Sequence, residues 1–158
     1  MPARVAVTET LPAAAEPVYR LLADYRVGHP SILPAKYFHD LVVEEGGVGE
    51  GTVIRFQMTA LGKTRTVRGV VSEPEPGRKL VETYPESGMV TSFLVEPRGS
   101  DSCELTIATE WEPRGLSGLI ERLLVPPLLR KIYREEIGNI SRAACSIKNA
   151  DSPRRNRD

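Results

Sequence analysis

Glu82 and Tyr84 stand two apart in Leu80-Val81-Glu82-Thr83-Tyr84, so on a β-strand their side chains share the face that carries Leu80. If that face looks into a cavity, a desolvated Glu82 holds its proton to higher pH and can serve as an acid or accept a bond from a ligand. The competing arrangement turns Glu82 outward into an ion pair with Arg68 or Lys79. His29 is the third candidate for moving protons, because imidazole titrates near neutrality and Asp24 or Asp40 could orient it. No nucleophile accompanies it, and a ring fixed by local hydrogen bonds in a proline-flanked loop is the plain alternative. Glu136 sits among Tyr133, Ile137 and Ile140, and its long side chain is expected to reach solvent from the margin of that stripe.

Other chemistries find no support. His29 and His39 are the only histidines and form no ligand pair at helical spacing, so no metal site and no cofactor is expected. There is no Gly-x-Ser-x-Gly elbow and no glycine loop opening a helix around phosphate. Cys103 and Cys145 lack Cys-x-x-Cys spacing and read as small buried residues rather than a disulfide. With 21 basic and 21 acidic residues the formal charge is zero, which gives no global field toward nucleic acid or anionic membranes. The first residues lack a secretory pattern and no run is long enough to span a bilayer, so a cytoplasmic location is expected.

The elements that must position these groups follow from periodicity. Residues 4–9 alternate as a first strand, and Pro12 to Asp24 carries Val18, Leu21 and Leu22 at helical spacing. Tyr25 to Pro34 is too rich in breakers for more than a short helical turn. From Phe38 to Glu112 the pattern has period two, with glycine or proline recurring about every ten residues, and predicts a meander of about six strands. After Gly115 the period becomes 3.6. Leu116, Leu119, Ile120 and Leu123 form a stripe that Leu129, Tyr133, Ile137, Ile140, Ala144 and Ile147 are expected to continue. Pro126-Pro127 predicts a kink or restart, and Gly138 suggests close approach of the sheet or a ligand. Residues 149–158 are expected to be a disordered polar tail behind a single domain spanning 1–148.

This order resembles the START-like superfamily, also called SRPBCC, and within it the polyketide cyclase/dehydrase group. The residues that carry the likeness are Leu22-Ala23-Asp24-Tyr25, Gly49-Glu50-Gly51-Thr52, Glu73 to Leu80, Val95 to Gly99 and Trp111 to Gly115, across residues 3–148. The resemblance implies an α+β helix-grip fold, with a curved antiparallel sheet of about seven strands wrapped around a long C-terminal helix and two short helices after the first strand. It also implies a cavity for a hydrophobic small molecule such as a lipid, quinone or polyketide. The expected lining is Ile32, Leu33, Phe56, Met58, Glu82, Tyr84, Phe93, Ile107, Trp111, Leu129, Tyr133, Ile137 and Ile140, with Leu105 in the same inward-facing set. Ile32, Leu33 and Leu129 are expected to form an apolar gate. Binding or transport is the leading reading, ahead of a cyclase or dehydratase using Glu82, Tyr84 or His29, and of a protein-interaction adaptor. A homodimer is left open.

Overall fold

The computed structural model of the chain describes residues 1–151. The elements are β1 (Ala3–Leu11), α1 (Ala15–Ala23), α2 (Gly28–Ile32), β2 (Phe38–Glu45), β3 (Val53–Ala60), β4 (Lys63–Glu75), β5 (Lys79–Tyr84), β6 (Met89–Pro97), β7 (Cys103–Trp111) and α3 (Gly115–Asp151). Six consecutive strands pair antiparallel as hairpins, and β1 closes onto β7, giving the sheet order β1-β7-β6-β5-β4-β3-β2. This is the expected helix-grip α+β fold. The breakers act as predicted. At the β4–β5 hairpin Gly77 takes φ 82°, a left-handed conformation that costs glycine nothing.

Alternation decides which face is inside. On β7, Cys103, Leu105, Ile107, Thr109 and Trp111 are buried while Glu110 is exposed. The register Phe93↔Ile107 and Leu80↔Phe93 lines these residues up across β7, β6 and β5 on the face that α3 covers. Each fully buried leucine or isoleucine here contributes about 1.5–3 kcal/mol relative to exposure.

The long helix departs from expectation in several ways. It is continuous through Pro126 and Pro127, with no restart. Its apolar residues lie on two faces: Leu129, Ile132, Tyr133, Ile137, Ile140 and Ala144 are buried, whereas Leu116, Leu119, Ile120 and Leu123 are 94%, 67%, 59% and 70% exposed. The cause is the six-residue step from Leu123 to Leu129, which breaks the three-four rhythm and rotates the apolar line to another side of the helix. Gly138 is approached by nothing but the guanidinium of Arg142, 3.7 Å from where a Cβ would stand, so no close packing explains it. Glu136, expected toward solvent, is 2% exposed, because three residues from Tyr133 and four from Ile140 it falls in the middle of the buried face. Cys145 also differs, being only partly buried, while Cys103 is in the core. The helix runs to Asp151, into the expected tail, and the rest of that segment lies outside the described residues.

Candidate functional site

A row of side chains crosses the covered face of the sheet through paired positions: Val5↔Thr109, Thr109↔Thr91, Thr91↔Glu82 and Glu82↔Val71. The middle three are polar and all are buried, Glu82 at 3% exposure. The outward ion pair with Arg68 or Lys79 is therefore not formed. Arg68 instead reaches Glu44 at 3.8 Å.

Glu82 is held from three sides. Tyr25 donates its phenolic hydrogen to Oε1 at 2.6 Å, and Tyr84 donates to Oε2. His29 places Nε2 3.5 Å from Oε1. Each partner is set by local structure. The backbone N–H of Tyr25 donates to the Gly47 carbonyl at 2.9 Å, which pins the α1–α2 connection to the β2–β3 loop. Asp24 accepts from the backbone N–H groups of Arg26, Val27 and Gly28, so its carboxylate is occupied in starting α2 and does not orient His29. The His29 ring lies parallel to Tyr25 at 4.4 Å and edge-on to Phe93 at 5.5 Å. Its Nδ1 meets the Leu22 carbonyl at 2.8 Å. A carbonyl only accepts, so Nδ1 carries a hydrogen and Nε2 is the nitrogen that faces Glu82.

Tyr84 depends on Gly69, its neighbour across the β4–β5 pairing. A Cβ at Gly69 would stand 2.9 Å from the tyrosine Cε1, so the ring rests over bare backbone. The half-buried ring also meets Phe56 edge-on at 6.2 Å.

Opposite the sheet, α3 contributes Tyr133, whose hydroxyl shares a hydrogen bond with Thr109, and Glu136. Burial first, and the charge of Glu82 second, push the Glu136 carboxyl well above the usual carboxylate range. Burial and then Glu82 likewise raise Tyr25 and Tyr84 well above an ordinary phenol, and burial raises Tyr133 against the lowering effect of its threonine partners. Glu136 Oε1 has no hydrogen-bond partner. A polar atom left this way costs about 1–3 kcal/mol, which a face devoted to packing would avoid.

Of the predicted lining, Ile32, Phe56, Glu82, Phe93, Ile107, Trp111, Leu129, Tyr133, Ile137 and Ile140 are buried, while Leu33, Met58 and Tyr84 are half-buried at the rim. Of the expected gate, Ile32 and Leu129 belong to the buried core and Leu33 packs against it, half-buried. Asn139 donates to the Ile32 carbonyl at 2.9 Å, which leaves Leu129 ten residues, roughly 15 Å, further along the helix. Leu33 instead lines a cleft of about 170 Å³ with Pro30, Phe38, His39, Asp40 and Leu41. A second cleft of about 270 Å³ runs beside β4 and is bordered by Val67, Tyr84 and Ser87. Tyr84 thus bonds the buried cluster through its hydroxyl and also borders the second cleft. Among the described residues no cluster of histidine, cysteine, aspartate and glutamate could hold a metal, and no helix is long and apolar enough to cross a membrane.

Sequence reasoning overlooked Tyr25 as a site residue and misplaced Glu136. The available signals were the four-residue step from Tyr25 to His29 and the shared phase of Glu136 with Tyr133 and Ile140.

A seven-stranded sheet closed by a long terminal helix over a polar cluster defines a helix-grip protein. The chain belongs to the polyketide cyclase/dehydrase and lipid transport family, whose sequence pattern it matches over residues 2–144. Among solved structures it is similar to the KanY protein, with 25% identity, 91% of this chain and 98% of that chain covered, and a TM-score of 0.78. It resembles the ZhuI aromatase/cyclase from Streptomyces sp. R1128 at 19% identity, covering 91% and 94% of the two chains with a TM-score of 0.72. A START superfamily protein from Mycobacterium smegmatis matches at 14% identity, covering 91% and 98%, with a TM-score of 0.72. No curated protein matches in sequence.

Proposed function

We propose that the chain binds a hydrophobic small molecule between sheet and α3, with a hydroxyl or similar hydrogen-bonding end of the ligand meeting Glu136. The supporting observation is the buried, partnerless Glu136 Oε1, on a carboxyl that feels the charge of a Glu82 already engaged by two phenols. Phe56, Phe93, Ile107 and Ile137 supply the apolar surroundings that such a ligand needs. Release of one hydrogen bond, Tyr84 to Glu82, would open the cluster toward the cleft on which Tyr84 lies. Membership in a family that includes lipid transport fits the same reading.

The test is extraction of the purified, denatured chain for mass spectrometry, followed by dye displacement with lipids, quinones and polyphenols. A bound apolar molecule, which displaces the dye less effectively from Glu136→Gln than from the parent, is the expected outcome. An empty protein that displaces with none of the panel overturns the reading.

A second reading, a cyclase- or dehydratase-type enzyme, is favoured by one feature. His29 places Nε2 3.5 Å from Glu82, and Glu136, raised by burial and then by the charge of Glu82, supplies a proton donor to the same water-poor site. Turnover of a polyketide-like substrate that survives Glu82→Gln, Glu136→Gln and His29→Gln together would eliminate it.

A further inference from the structure

The first half of α3 leaves a second apolar surface that the interior site does not use. Leu116, Ile120, Leu123, Pro127, Arg130 and Arg134 recur at steps of four and three, so they form one line along the helix, and all six are exposed. Leu119 and Leu124 widen its apolar start, at 67% and 48% exposure, and Lys131 widens its basic end. The line therefore changes character at the prolines, from apolar to cationic.

We propose that this face seats the protein on an anionic lipid surface, the leucines entering the acyl boundary and Arg130, Lys131 and Arg134 meeting the headgroups. Charge selects this occupant. Leaving out the buried Glu136, residues 114–135 carry five basic side chains (Arg114, Arg122, Arg130, Lys131, Arg134) against two acidic ones (Glu121, Glu135). The whole chain, by contrast, is neutral. A second copy fits poorly: a parallel pairing sets Arg130 and Arg134 against themselves, and an antiparallel one presses them onto leucines. An interfacial helix combines the two halves without conflict, since apolar side chains insert while adjacent cations stay at headgroup depth. The zero net charge of the chain means that attraction comes from this face alone and not from a global field.

Flotation of the full chain with phosphatidylcholine vesicles, alone or mixed with phosphatidylglycerol, tests the proposal. Binding is expected to the mixed vesicles and to weaken with salt. The pair Leu119→Ser/Leu123→Ser and the pair Arg130→Gln/Arg134→Gln should each weaken it roughly tenfold or more. These side chains are exposed, so unchanged thermal melting is expected to show that the variants fold. Absence of flotation, or equal flotation by the variants, overturns the proposal. So does a wild-type dimer that the leucine pair converts to monomer without affecting vesicle binding, which would make the face a protein interface.

Discussion

Tyr25, on the link between α1 and α2, donates to Glu82 on β5 at 2.6 Å, and this bond ties the helical connection to the centre of the sheet across 57 residues. Glu82 therefore acts as the junction of three segments, since Tyr84 and His29 meet the same carboxylate.

Removing the Tyr25 hydroxyl tests that junction. Tyr25→Phe keeps the ring stacked on His29 and deletes only the donor, so urea unfolding should show a loss of about 1.5–3 kcal/mol, the range for a hydrogen bond to a charged group. The double variant with Tyr84→Phe should deviate from the sum of the single effects, because both phenols serve one acceptor. Strict additivity would show that they act independently.

Glu136 gives a pH signature of known sign. Its native pKa is raised above the ordinary 4.5, so its contribution to stability is complete at pH below that value and is lost as pH climbs toward the native pKa. In that window the unfolded chain has released a proton that the native protein keeps, and stability falls by up to about 1.4 kcal/mol per pH unit. Glu136→Gln removes this loss. Thermal melts should therefore show the variant gaining on the parent as pH rises, and a difference that stays constant with pH would contradict a buried acid.

The packing of Tyr84 over Gly69 predicts a remote effect. Gly69→Ala forces the ring from its place, costing about 1–3 kcal/mol of overpacking strain and breaking the bond to Glu82. In spectrophotometric titration one tyrosine should then ionise at lower pH than in the parent, because Tyr84 loses the burial and the neighbouring charge that raise it. An unaltered tyrosine titration would show that the ring had not moved.

Leu33→Gln separates binding from folding. Leu33 is half-buried on the cleft beside Phe38 and Leu41, so stability should change within about 0.5 kcal/mol while dye on- and off-rates shift and affinity drops. Unchanged rates and affinity at equal stability would exclude a role for Leu33 in ligand entry.

The sheet was legible in sequence because period two and recurrent breakers mark both its faces and its turns. Glu82 and Tyr84 were readable for the same reason: two residues from Leu80, they had to share its face. Tyr25 was hidden because its partner lies 57 positions away on another element, and no local period connects a helical link to a strand. Glu136 was misread because its charge outweighed its phase, although spacing alone places it with Tyr133 and Ile140. The leucines before Pro126 were misread in the opposite sense. Leu116 to Leu123 keep a regular period of their own, and only the six-residue step to Leu129 reveals that it belongs to a different side of the helix from the buried line.

The pairing of β1 with β7 has a consequence for how the chain reaches this structure. Val5 and Thr109 are opposite one another, so among the described residues the first strand finds its one strand partner about a hundred positions downstream. Synthesised from the N-terminus, β1 remains an unpaired edge until nearly the whole meander has left the ribosome, and closing so long a loop is slow. During that interval Val5, Val7 and Leu11, all buried in the finished sheet, are exposed to other chains. Pairing of the last strand with the first thus ends the interval in which these side chains are open to other chains.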